Sequence, residues 1–204
     1  MLFPTAALAA SLWASTTLSQ PSNPSSRPFH LHTQLKPDQP GKDRFDNLWL
    51  YAYHTGAGLN DAMLSGNKTH AIAGFLTASN ITTTPGGDAL YGVGFDLGGD
   101  TGLSWGLGPQ IGVNTYAAWQ PVRIDAGGAA AGEYSAFFVD GDGLQWTTSA
   151  TGIPDSFGGW FVCNWWHGDI DGAGAGPQLF FRVNGFGHIA LETCADVFLV
   201  PEYI

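Results

Sequence analysis

Apolar and polar positions alternate along most of the chain in short runs cut by Gly, Pro, Asn or Asp. Phe29, Leu31, Thr33 and Leu35 fall on one side of an extended segment and His30, His32 and Gln34 on the other, the period-two signature of a half-buried strand. The run at 48–54 (LWLYAYH) is apolar on both sides and reads as an interior strand. Further strand candidates follow at 70–77, 90–97, 102–107, 111–118, 121–125, 134–139, 143–148, 159–166, 177–183 and 195–201. Residues 186–194 (FGHIALETC) have room for a short helix before the last strand.

Two stretches share a plan. Phe95 to Trp105 and Phe137 to Trp146 each run from a strand into a Gly/Asp turn and return through Gly-Leu-x-Trp, so both read as β-hairpins. One such duplication is too little for a propeller or solenoid. The pattern predicts one all-β domain over 29–204, a two-sheet β-sandwich or jelly roll, with a closed barrel as the alternative that sequence does not separate from it.

Composition supports this. The 204 residues include 29 Gly, 12 Pro and 8 Trp, and only 12% are charged, against about 25% in an average globular chain. With 44% apolar residues there is material for a core, which excludes disorder driven by low hydrophobicity. Glycine at this density excludes long helical bundles.

Charge excludes more. The net charge is −10, and it is unevenly placed: residues 71–204 hold thirteen acids against two basic side chains, Arg123 and Arg182. No polybasic patch exists for a phosphate backbone or an anionic lipid surface, so neither nucleic acid nor membrane is an expected partner.

The first charged residue is Arg27, and residues 1–19 combine an apolar stretch with small residues at the end, as a secretory signal peptide does. Residues 20–28 are Pro- and Ser-rich and read as a linker. Nothing later has the length of a membrane span. Asn67-Lys68-Thr69 and Asn80-Ile81-Thr82 are N-glycosylation sequons, while Asn23 is blocked by Pro24. In an oxidising compartment Cys163 and Cys194 are expected to pair.

Candidate chemistry is sparse. His30-x-His32 is a metal-ligand arrangement known on jelly-roll strands, but an exposed polar strand face gives the same pattern. Asp140/Asp142 and Asp169/Asp171 form D-x-D-G pairs that fail the EF-hand spacing and fit turn chemistry. No H-E-x-x-H helix or phosphate loop is present; the glycines of Tyr53-His54-Thr55-Gly56-Ala57-Gly58 lack the Lys of the last. The sequence assigns no catalytic residue, metal or cofactor.

The aromatic residues are the most suggestive. Trp49, Tyr51, Tyr53, Trp119, Trp160, Trp165 and Trp166 lie in or beside strands, either as core or as flat platforms for sugar rings. Adjacent strand residues point to opposite faces, so Trp165 and Trp166 cannot both enter one core.

Residues 50–62 (LYAYHTGAGLNDA), 116–122 (YAAWQPV), 157–168 (FGGWFVCNWWHG) and 177–180 (PQLF) resemble an uncharacterised family of small secreted fungal proteins carrying a domain of unknown function. The likeness covers most of 29–200 and implies fungal secretion or a cell-wall location, with no catalytic residues to carry over. The expectation is a non-enzymatic secreted glycoprotein that binds a glycan, or a wall or host component, near Tyr53, His54, Trp165, Trp166 and His167. The alternatives are a jelly-roll carbohydrate-active or metal-dependent enzyme using His30, His32 or an acidic pair, and a purely structural wall protein.

Overall fold

A computed structural model describes residues 27–83, 89–98, 104–113, 116–127, 136–148, 155–167, 174–186 and 191–204. The expected signal peptide, nearly all of the expected linker, the Asp169/Asp171 pair and the side chain of Asn80 lie outside them. Twelve strands follow in order: β1 (Phe29–Leu35), β2 (Trp49–Gly56), β3 (Leu59–Ser65), β4 (Gly74–Thr83), β5 (Ala89–Phe95), β6 (Trp105–Pro109), β7 (Trp119–Ala126), β8 (Phe137–Asp140), β9 (Gly143–Trp146), β10 (Phe157–Trp166), β11 (Ala175–Val183) and β12 (Cys194–Tyr203). Two single 3-10 turns, at Asp43–Phe45 and Lys68–His70, are the only helical segments among the described residues.

The all-β expectation holds. The strands form one antiparallel sheet in which β10, β12, β1, β2, β3 and β11 pair in sequence, and β11 pairs again with β10, so this part of the ladder closes on itself. The rest continues from β11 through β7, β6, β5, β8 and β9, with β4 bridging β1 and β5. Closure leaves few unpaired edges for other chains to template on.

Alternation sorts the side chains. On β7, Gln120, Val122 and Ile124 are buried while Trp119, Pro121 and Arg123 are half-buried on the other side. Val122 and Ile124 join Leu31, Leu50, Leu64, Val93, Trp146, Trp160, Leu179, Phe181 and Val197 in the main core. A smaller cluster, Phe161, Cys163, Phe180 and Cys194, forms on the opposite face of β10 and β11, with Trp119 packed against it. Cys163 and Cys194 stand directly opposite in register and form a disulfide, as expected.

Three local expectations need correction. The described residues of 111–118 form no strand: Ile111 and Val113 are exposed in a turn around Gly112, because an apolar residue either side of a glycine at φ 78° supplies no continuous face to bury. The strand expected at 70–77 starts at Gly74, since Asn67 caps a 3-10 turn by accepting from the Thr69 amide. No helix forms in the described part of 186–194; residues 191–193 lead straight into β12.

One strand was hidden. β3 reads LNDAMLS, and Asn and Asp are depleted in strands. Asn60 is nevertheless buried, its side chain donating to the Ile124 carbonyl at 2.7 Å, which satisfies the amide and ties β3 to β7. The glycines before it make the tight turn between β2 and β3, with Gly58 at φ 73°.

The β8–β9 hairpin is as expected. Asp140 pairs with Gly143, and the Asp140 carboxylate accepts from the Asp142 amide at 2.8 Å, the side chain bracing the turn. Its counterpart brings Phe95 opposite Trp105 across β5 and β6, with residues 99–103 between them outside the described residues.

Candidate functional site

The outward faces of β3, β7, β10 and β11 enclose a cleft of about 570 Å³, within the range of small-ligand pockets. Register explains its composition. Tyr53 opposes Asp61 across β2 and β3, and Asp61 opposes Arg123 across β3 and β7, so the three share one outward face. Gln178 on β11 opposes Met63 on β3 and Cys163 on β10, which puts its side chain at the junction of these strands.

The aromatic wall comes from the end of β10. Trp165 is 47% and Trp166 67% exposed, whereas Trp146 and Trp160 are buried at 1%. Trp165 meets Phe180 edge-on, ring centroids 5.5 Å apart, and so stands on the small cluster built around the disulfide. Trp119, half-buried, extends that support and itself lines the cleft. Trp49 is core, and His30 and His32 both pack on its ring, at 6.3 and 4.9 Å. Among the described residues Trp49, Trp146 and Trp160 are buried, Trp105 and Trp119 half-buried, and Trp165 and Trp166 displayed at the cleft.

The polar groups sit beneath. His167 Nδ1 lies 3.4 Å from Asp61 Oδ2, and Arg123 Nε lies 3.9 Å from Asp61 Oδ1. Tyr53 packs its ring against the imidazole, centroids 5.3 Å apart. Burial pushes the Asp61 carboxyl above the ordinary carboxylate range, and the neighbouring His167 and Arg123 only partly oppose this. Asp125, two residues along β7, is also raised by burial and by the charge of Asp61, against the Asn60 amide that donates to it at 3.2 Å and against Arg123.

Three buried polar atoms of cleft residues have no hydrogen-bond partner: His167 Nε2, Gln178 Oε1 and Arg123 Nε. Gln178 is only 2% exposed. An orphaned buried polar group costs about 1–3 kcal/mol, so three such atoms in one cleft are a concentrated cost.

Of the residues singled out from sequence, Trp165, Trp166 and His167 line the cleft, and Tyr53 stands behind His167. His54 does not join them; as the next strand residue after Tyr53 it points the other way and is exposed. Asp61, Arg123 and Gln178 were missed. Asp61 was concealed with its strand, and Gln178 follows Pro177 in an ordinary apolar run. Arg123 did carry a signal, as one of two basic residues after position 70.

The other candidates fall elsewhere. Among the described residues no three His, Cys, Asp or Glu side chains cluster closely enough to hold a metal ion, so His30 and His32 stand without a third ligand there. Asn67 is exposed, its Oδ1 accepting from the Thr69 amide and hydroxyl at 3.1 and 2.9 Å. No described helix is long and apolar enough to cross a membrane.

The chain belongs to a family defined by a domain of unknown function, DUF7907, whose model matches residues 26–203. No curated protein sequence and no solved structure matches it.

Proposed function

We propose that this DUF7907 domain is a saccharide-binding module, with Trp165 and Trp166 taking sugar faces and Gln178, Arg123 and His167 reading hydroxyl groups. The observation that carries the reading is the meeting of exposed indoles with orphaned polar atoms in one cleft. Gln178 Oε1 only accepts, Arg123 Nε–H only donates, and His167 Nε2 does either according to its tautomer. A sugar hydroxyl donates and accepts at once, so adjacent hydroxyls match such a set. Removing wild-type binding on an array of wall-derived glycans by Trp165→Ala supports the reading; an array with no positive glycan overturns it.

We further propose that the protein is secreted and glycosylated, and place it with secreted fungal proteins on the resemblance described above. The apolar N-terminus, the disulfide and the exposed Asn67 sequon support this. Protein recovered from culture medium is expected to lose mass on deglycosylation, and Asn67→Gln to reduce that loss.

One observation favours a second, enzymatic reading. Asp61 and Asp125 occupy diagonal positions on neighbouring strands, which lie about 7–8 Å apart, and both carboxyls are raised. Acid–base cleavage of a glycosidic bond uses carboxyl pairs about 5 to 9.5 Å apart. Reducing ends released from an array-positive polysaccharide, and lost in Asp61→Asn and Asp125→Asn, mark an enzyme; binding without release marks a module.

A further inference from the structure

We infer that the cleft selects saccharides bearing one uronic-acid carboxylate, received by Arg123 while Trp165 takes the ring; this rests on the saccharide-binding reading above. The two basic side chains after residue 70, Arg123 and Arg182, are held differently. Arg182 is occupied: its Nε and Nη2 both bond the Asp196 carboxylate, and its guanidinium lies 3.9 Å from the Phe161 ring centroid. Arg123 is held far more loosely. Its acidic neighbour Asp61 is 3.9 Å away, at the outer limit of an ion pair, and its buried Nε has no hydrogen-bond partner.

Asp61 is a poor competitor for that cation. It is shared with His167 Nδ1 at 3.4 Å, and burial favours its neutral form. Asp125, the other carboxylate near Arg123, already accepts from the Asn60 amide. A ligand carboxylate entering the cleft meets a guanidinium whose planar fork suits it, and hydrogen bonds to charged groups contribute about 1.5–3 kcal/mol.

The cleft's own lining restricts this to one carboxylate. Arg123 is the one Lys or Arg among the residues that line it, and Asp61 and Asp125 stand beside it. At physiological salt a charge is felt over about 8 Å. A single carboxylate in contact with Arg123 gains from it, whereas a further carboxylate of a polyuronate finds no second Lys or Arg in the cleft lining to receive it. The inferred ligand is an isolated uronic acid on an otherwise neutral glycan.

The test uses methyl glycosides that differ only at C6: methyl glucuronide and methyl galacturonide, each against its neutral hexoside and its own uronide methyl ester. Binding is followed by indole NMR shifts. The expected result is that at least one uronide binds about tenfold or more tighter than both neutral counterparts, with the ratio shrinking as salt rises. Arg123→Gln keeps a donor and removes the charge, and should bring the ratio near one; Arg123→Lys should leave an intermediate ratio.

The ratio should also grow as pH falls from 7.5 to 5. Around Asp61 stand Tyr53 on β2, Arg123 and Asp125 on β7 and His167 at the end of β10; protonating either carboxyl, both raised by burial, makes the cleft more positive while the sugar carboxylate stays ionised. Equal affinity for uronide, ester and hexoside overturns the inference and leaves the saccharide-binding reading standing. So does an oligogalacturonate that binds more tightly than the single uronide. Failure of every saccharide overturns both.

Discussion

His167 Nδ1 lies 3.4 Å from Asp61 Oδ2, joining the end of β10 to the middle of β3. These strands are not neighbours in the ladder, since β11 separates them. The contact, with Tyr53 packed on the same imidazole, anchors the segment immediately after Trp165 and Trp166 over the cleft. A pair of indoles held in this way has less freedom to lose on binding, which favours affinity.

The raised Asp61 carboxyl has a consequence for stability. Its folded pKa lies above its unfolded value, so between those values the folded state binds more protons and stability falls as pH rises. Urea unfolding at pH 4.5 and 7.5 should show wild type gaining on Asp61→Asn at the lower pH. Asp125→Asn should behave alike, because Asp125 is raised too.

The tryptophans should separate by role. Trp160 is 1% exposed and stacks near Phe137 and Phe157, so Trp160→Ala should cost about 3–5 kcal/mol. Trp165→Ala and Trp166→Ala remove exposed rings and should each cost about 1 kcal/mol or less. Thermal unfolding of the three variants checks the division.

Breaking the Cys163–Cys194 bridge, which spans 31 positions, should destabilise the domain by about 3–4 kcal/mol in the chain-entropy model. It also loosens the cluster under Trp165. Cys163→Ala/Cys194→Ala should therefore lower the melting temperature and weaken saccharide binding by more than the unfolded fraction accounts for.

Gly143 closes the β8–β9 turn at φ 97°, and a Cβ there would stand 2.5 Å from the Leu199 carbonyl oxygen on β12. Space and backbone both forbid a side chain. Gly143→Ala should cost about 2 kcal/mol or more, measured by urea unfolding, while Gly141→Ala, with open space around it, should cost far less.

How much was legible in sequence follows from which interactions are local. Alternation at Phe29–Leu35 and the Asp-Gly turn at 140–143 encode their own structure, so both were readable. β3 was not, because Asn60 and Asp61 read as loop residues until their partners on β7 are known. The cleft had the same difficulty: Trp165, Trp166 and His167 are contiguous and visible, whereas Asp61, Arg123 and Gln178 come from three strands whose adjacency is set by the ladder. The sorting of indoles into core and display likewise depended on strand pairing, which composition does not contain.

The most direct test of the central claim is an indole NMR titration of the wild-type domain with xylo-, cello-, manno- and chito-oligosaccharides and with the methyl uronides. At least one should shift the Trp165 and Trp166 N–H signals and leave those of Trp146 and Trp160 in place. Saturating additions that move no indole signal, or that move only Trp49, would contradict a saccharide site in this cleft.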